Sequence, residues 1–131
     1  MKLICILTDF GTRDGYPSVM KGVIYSINPD VIVTDITHEV GPQNVLEGAL
    51  TLSRVTPYYP PGAIFVAVVD PGVGTQRRPI AARIGHHYFV GPDNGLFSPH
   101  IQAARASGQP VEVVHLDRPQ YYLPEVSNVF H

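Results

Sequence analysis

Four places in the chain set charged or polar side chains directly after a short apolar run. Asp9 and Asp14 follow residues 3–7, and Asp35 and His38 follow residues 31–33. Asp70, Arg77 and Arg78 follow residues 64–69, and Asp93 with Asn94 follows residues 87–90. The third is the densest. Its apolar run stops at Asp70-Pro71-Gly72, because proline fixes φ and removes a donor. Gly72 and Gly74 let a ligand approach the backbone, and Arg77 or Arg78 can fold back towards Asp70. An acid and a guanidinium beside a glycine-rich turn at a strand end make the strongest local site signal in the chain. A plain turn with a surface ion pair accounts for any one of these places. Several converging on one edge would make a site.

Other chemistries fit less well. Asp9, Asp14 and His38 are types that bind Mg, Mn or Zn, but no HxH, HExxH or CxxC spacing accompanies them. There is no GxSxG elbow, and Gly72-Val73-Gly74 lacks the Lys-Ser/Thr of a phosphate loop. His86, His87, His100 and His115 have no acid at a suggestive spacing and read as ordinary.

The elements that must position these groups alternate. Residues 3–7 read as a buried strand. Residues 16–28 carry Val19, Val23, Ile24 and Ile27 at helical spacing and end at Asn28-Pro29. Residues 31–33 form a second strand closed by Thr34-Asp35, with 36–40 a loop or brief extension. Asn44 and Glu47 suit a capping box for the next helix, which Pro57, Pro60 and Pro61 end. Residues 64–69 are the third strand. Residues 80–84 and 87–90 form a hairpin about Gly85-His86, Ser98 can cap a helix through Ala106, and 111–116 is a last strand. The pattern predicts an α/β fold, a mainly parallel sheet flanked by helices on both faces, with one β-hairpin. Ligands of such sheets bind outside the carboxyl ends of the strands.

The chain's 131 residues fit one domain, and a net charge of −2 is too balanced for an electrostatic nucleic-acid binder. Cys5 is the only cysteine and lies in the first apolar run, as a buried reduced thiol would. The apolar run after Lys2 meets Asp9 too soon for a signal or membrane segment, so a cytoplasmic protein with no membrane partner is expected.

Several stretches together resemble one family. They are residues 8–12 (TDFGT), Lys21-Gly22 with Asn28-Pro29-Asp30, 35–39 (DITHE), 69–74 (VDPGVG) with Arg77-Arg78-Pro79, 91–96 (GPDNGL) and Val129-Phe130-His131. In this order they look like the S-adenosylmethionine (SAM) hydroxide adenosyltransferases, the adenosine-forming SAM hydrolases related to fluorinase and chlorinase. The resemblance implies attack of water or hydroxide on C5′ of SAM, giving adenosine and L-methionine. It implies a catalytic Asp70, Arg77 and His131, with Arg78 the less favoured arginine. Asp9 would grip the ribose hydroxyls, Asp14 would contact the methionine part, and Phe130 would line the substrate. Gln43 falls where fluorinase has a tryptophan over the ribose. Asp70 stands where fluorinase has a tyrosine, and Val73 where it has a threonine beside the halide, so the hydrolase is the nearer match.

The resemblance further implies no metal and no cofactor, SAM being the substrate, and a homotrimer with the site at the subunit interface. Family members are about twice this long. Residues 1–131 would then be an incomplete N-terminal α/β domain, lacking the β-rich C-terminal domain that contacts adenine. Two alternatives remain: a non-catalytic adenosine- or SAM-binding module, and a metal-dependent hydrolase using Asp9, Asp14 and His38.

Overall fold

A computed structural model describes residues 2–69 and 79–116 of the chain. The elements are β1 (Leu3–Thr8), α1 (Tyr16–Ile27), β2 (Ile32–Thr37), α2 (Val45–Val55), a single 3-10 turn (Thr56–Tyr58), β3 (Ile64–Val68), β4 (Pro79–Ile84), β5 (His87–Pro92), α3 (Ser98–Ala106) and β6 (Val111–His115). They build one six-stranded sheet in the order β2-β1-β3-β5-β4-β6. β1 runs parallel to β2 and β3, and β3 parallel to β5, which is the expected mainly parallel α/β arrangement. β4 and β5 form the expected hairpin. β6 adds a second antiparallel pairing along β4. It arrives after α3 rather than after a tight turn, so no local signal in the sequence marks it.

Burial alternates along the strands as the two-residue period requires. Phe65 and Ala67 of β3, Ile80, Ala82 and Ile84 of β4, and Phe89 of β5 turn to one face. There they meet Ala49 and Leu52 of α2, and Leu96, Phe97 and Ala104 in and beside α3. Phe65 and Phe89 stack at 5.4 Å, and Phe97 tilts against Phe89 at 5.3 Å. Each such ring pair adds about 0.5–1.5 kcal/mol beyond its buried area. α1 contributes no residue to this core. It is fastened to the edge strand β2, where the Val33 N–H donates to the Tyr25 hydroxyl at 3.3 Å. On the far half of the sheet, Ala81, Arg83, Tyr88, Val90, Glu112 and Val114 line an open concavity of about 430 Å³.

Three local expectations change. β2 continues through Ile36 and Thr37 by pairing with Leu7 of β1, so a segment with loop-like composition is strand. The Glu47 N–H donates to Asn44 Oδ1 at 3.0 Å as a cap should, but the Glu47 carboxylate accepts from Gly41 N–H instead of from Asn44 N–H. Asn44 N–H is already given to the Gly41 carbonyl at 2.9 Å. Ser98 is not a cap. It lies inside α3 behind Phe97, and its own N–H donates to the Gly95 carbonyl.

Candidate functional site

The carboxyl ends of β2, β1, β3 and β5 lie side by side, since these four strands are parallel neighbours. Three of the polar groups singled out from the sequence meet there. The Asp9 N–H donates to the Val68 carbonyl at 3.4 Å, holding the end of β1 against the end of β3. The Asn94 side-chain amide donates to the Val69 carbonyl at 2.8 Å, holding the turn after β5 to the same strand end. The Gly11 N–H donates to the His38 carbonyl at 2.7 Å, joining the loop after β1 to the end of β2.

Asp9 is partly exposed at this edge, and its Oδ2 accepts from the Gln43 N–H at 2.6 Å. Gln43 adopts φ 60°, a left-handed conformation uncommon for residues other than glycine, asparagine and aspartate. Oδ1 of Asp9 has no partner among the described residues and is available to a ligand hydroxyl.

The loop from Asp9 to Gly15 turns on two glycines in the left-handed region, Gly11 at φ 69° and Gly15 at φ 77°. Most side chains resist that region, which is why glycine stands at both ends. Phe10 and Tyr16 close the loop with ring centroids 5.6 Å apart. Asp14 lies exposed on this loop, and no hydrogen bond ties it to Asp9 among the described residues.

Beneath the loop runs a chain of polar contacts. Lys21 Nζ donates to Asp35 Oδ2 at 2.5 Å, and Asp35 Oδ1 lies 2.6 Å from His38 Nε2. His38 Nδ1 lies 2.8 Å from Thr8 Oγ1. Burial acts to raise the Asp35 pKa, but the hydrogen bonds and charges of Lys21 and His38 outweigh it and hold the carboxyl below its ordinary value. The arrangement has the order of a hydroxyl–imidazole–carboxylate nucleophilic triad. Thr8 is 0% exposed, however, so its hydroxyl cannot reach a substrate. The metal alternative also loses its imidazole, because both His38 nitrogens are engaged by Thr8 and Asp35. Among the described residues no three His, Cys, Asp or Glu side chains group as a metal site would need.

Asp70, Arg77, Arg78, Phe130 and His131 lie outside the described residues. Asp93 is exposed beside Asn94. Reading the sequence named His38 as a strand-end partner of Asp35 and as a metal ligand in one alternative, and did not anticipate its bond to Thr8. A threonine immediately before the acid was the available signal. A second concavity, about 490 Å³ and lined by Lys2, Asn28, Asp30, Pro60 and Pro61 among others, opens where the strands begin, away from Asp9.

The fold is of the α/β class with a mainly parallel sheet, in which ligands commonly bind outside the carboxyl ends of the strands, and Asp9 stands at that edge. Residues 4–131 match the SAM hydroxide adenosyltransferase N-terminal domain, and the chain belongs to that family. It is 43% identical over 128 residues to the (R)-S-adenosyl-L-methionine hydrolase of Salinispora arenicola, covering 98% of this chain and 48% of that protein. The protein of the same name from Thermus thermophilus is 46% identical over 98 residues, covering 75% and 38%. A fluorinase from Actinopolyspora mzabensis is 29% identical over 123 residues, covering 76% and 41%. A crystal structure described as an uncharacterized conserved protein from Thermotoga maritima superposes with a TM-score of 0.87 at 38% identity, covering 98% of this chain and 48% of that one. The chain thus spans about half the length of the curated relatives it matches.

Proposed function

We propose that this chain is the N-terminal, reaction-centre domain of an adenosine-forming SAM hydrolase. In this reading a water attacks C5′ of SAM in line with the C5′–S bond. A C–O bond forms, the C–S bond breaks, the electron pair leaves with methionine sulfur, and one proton is released. The sulfonium is already cationic, so its departure needs no strong acid. The task left to the protein is to hold the water about 3–3.5 Å from carbon and to keep bulk solvent away.

The observation that carries the reading is Asp9 at the carboxyl edge, its main-chain N–H held to the end of β3, its Oδ2 held by the Gln43 N–H, and its Oδ1 without a partner among the described residues. Asp70 follows in the chain directly after that strand end. In the proposed site Asp9 takes the ribose hydroxyls and Asp14 the methionine part. Asp70 and His131 orient the water and accept its proton, Arg77 keeps Asp70 ionised, and Phe130 lines the substrate. The names of the curated relatives support SAM as substrate. The resemblance to the family extends the proposal to a further domain completing the adenine pocket and to a cytoplasmic homotrimer whose site lies between subunits.

The test is to incubate the full-length protein with SAM and follow adenosine and methionine. Equimolar release of both, abolished by Asp70→Ala, is the expected result. Adenosine binding without any turnover of SAM would favour the binding module instead.

A further inference from the structure

Resting on the ribose role proposed for Asp9, we infer that His38 is the positioning residue for that carboxylate, acting through the hydroxyl of Thr8. The geometry places one hydrogen. Asp35 accepts only, so the His38 nitrogen 2.6 Å away, Nε2, carries the hydrogen. Nδ1 lies 2.8 Å from the Thr8 hydroxyl, which donates to a bare Nδ1 and accepts from a protonated one. The Thr8 oxygen remains free to accept, and it takes the Phe10 N–H at 3.2 Å. One orientation of one ring thus satisfies every member of the chain from Lys21 to the Phe10 peptide.

Asp9 sits between the two residues this chain ties together. Its predecessor, Thr8, is bonded to the ring. Its successor, Phe10, is bonded to Thr8, and Gly11 beyond donates to the carbonyl of the same histidine. Thr8 and His38 are 0% and 6% exposed, so water cannot replace either partner cheaply. Removing the imidazole leaves the Thr8 hydroxyl unpaired in the interior. The loop must then shift to satisfy it, and Asp9 moves with the loop.

The experiment measures calorimetric affinities of the full-length protein for adenosine and 2′-deoxyadenosine. The wild type should prefer adenosine by about tenfold or more, the usual worth of a hydrogen bond to a charged group. Asp9→Asn, Thr8→Val and His38→Ala should each shrink that preference to about twofold or less through loss of adenosine affinity alone. Thr8→Ser should keep it. Equal weakening of both ligands in His38→Ala, or an unchanged preference, overturns the inference while leaving the ribose role of Asp9 standing. A wild type indifferent to the 2′-hydroxyl overturns the ribose role, and this inference with it. Should the variants not fold, nitrogen NMR of the wild-type ring decides: a hydrogen on Nε2, shared with Asp35, is expected, and an Nε2 without one overturns the assignment.

Discussion

The main-chain N–H of Gln43 meets the Oδ2 of Asp9 at 2.6 Å, so a residue on the loop before α2 orients the acid that ends β1. Gln43 does this with its own backbone at φ 60°. Proline can supply neither the N–H nor a positive φ. Gln43→Pro should therefore free the Asp9 carboxylate and lower adenosine affinity by about tenfold. Gln43→Asn, which tolerates the left-handed region, should bind as the wild type does. Calorimetry on the two variants checks this, and equal affinities would show that the Gln43 bond does not orient the acid.

Gly91 carries β5 past β3 beneath the candidate site. A Cβ added there would stand 2.3 Å from the Ala67 carbonyl oxygen and 2.9 Å from Phe97 Cζ. The first is backbone within the sheet and cannot swing aside. Gly91→Ala should destabilise the protein by about 2–3 kcal/mol, read as a lowered urea midpoint with an unchanged slope. Gly22→Ala, where nothing lies within 4 Å, should leave the midpoint no lower.

His100 sets a pH dependence of stability. Burial, with a smaller contribution from the charge of His87, pushes its pKa from 6.5 down to about 4. Its Nε2 lies 2.9 Å from Thr56 Oγ1, and its ring sits 4.8 Å from that of Phe89. The unfolded chain therefore binds this proton first as pH falls. The stabilisation is complete above about 6.5 and is lost progressively between there and about 4. The loss should be on the order of 3 kcal/mol, and His100→Gln should flatten that part of the curve. Urea titrations at several pH values test it. An unchanged slope in the variant would move the effect to other groups.

Cys5 is fully buried in β1, and burial pushes its thiol pKa up. Its reaction with a thiol reagent should follow the rate of unfolding and accelerate in step with added denaturant. Fast labelling of the native protein would place the thiol near the surface.

The sheet was legible because its parallel strands are continuous apolar runs punctuated by glycine, proline and acids. Residues 3–7 and 64–69 show this plainly. β6 was legible as a strand but not in its pairing, since a partner reached across a helix leaves no local mark. Residues 36–40 read equally as a loop or a brief extension of β2, because Thr37 owes its strand geometry to Leu7 across the sheet, not to its neighbours in sequence. Asp9 could be named from its place at a strand end. The bond between His38 and Thr8 spans 30 residues, and only the fold brings those two together.

The central claim is that water oxygen is delivered to the sugar carbon of SAM. Turnover by the full-length protein in ¹⁸O-labelled water tests it most directly. The account predicts adenosine carrying one ¹⁸O at its 5′-hydroxyl, unlabelled methionine and one proton released per turnover. Adenosine without the label, or no adenosine at all, would contradict it.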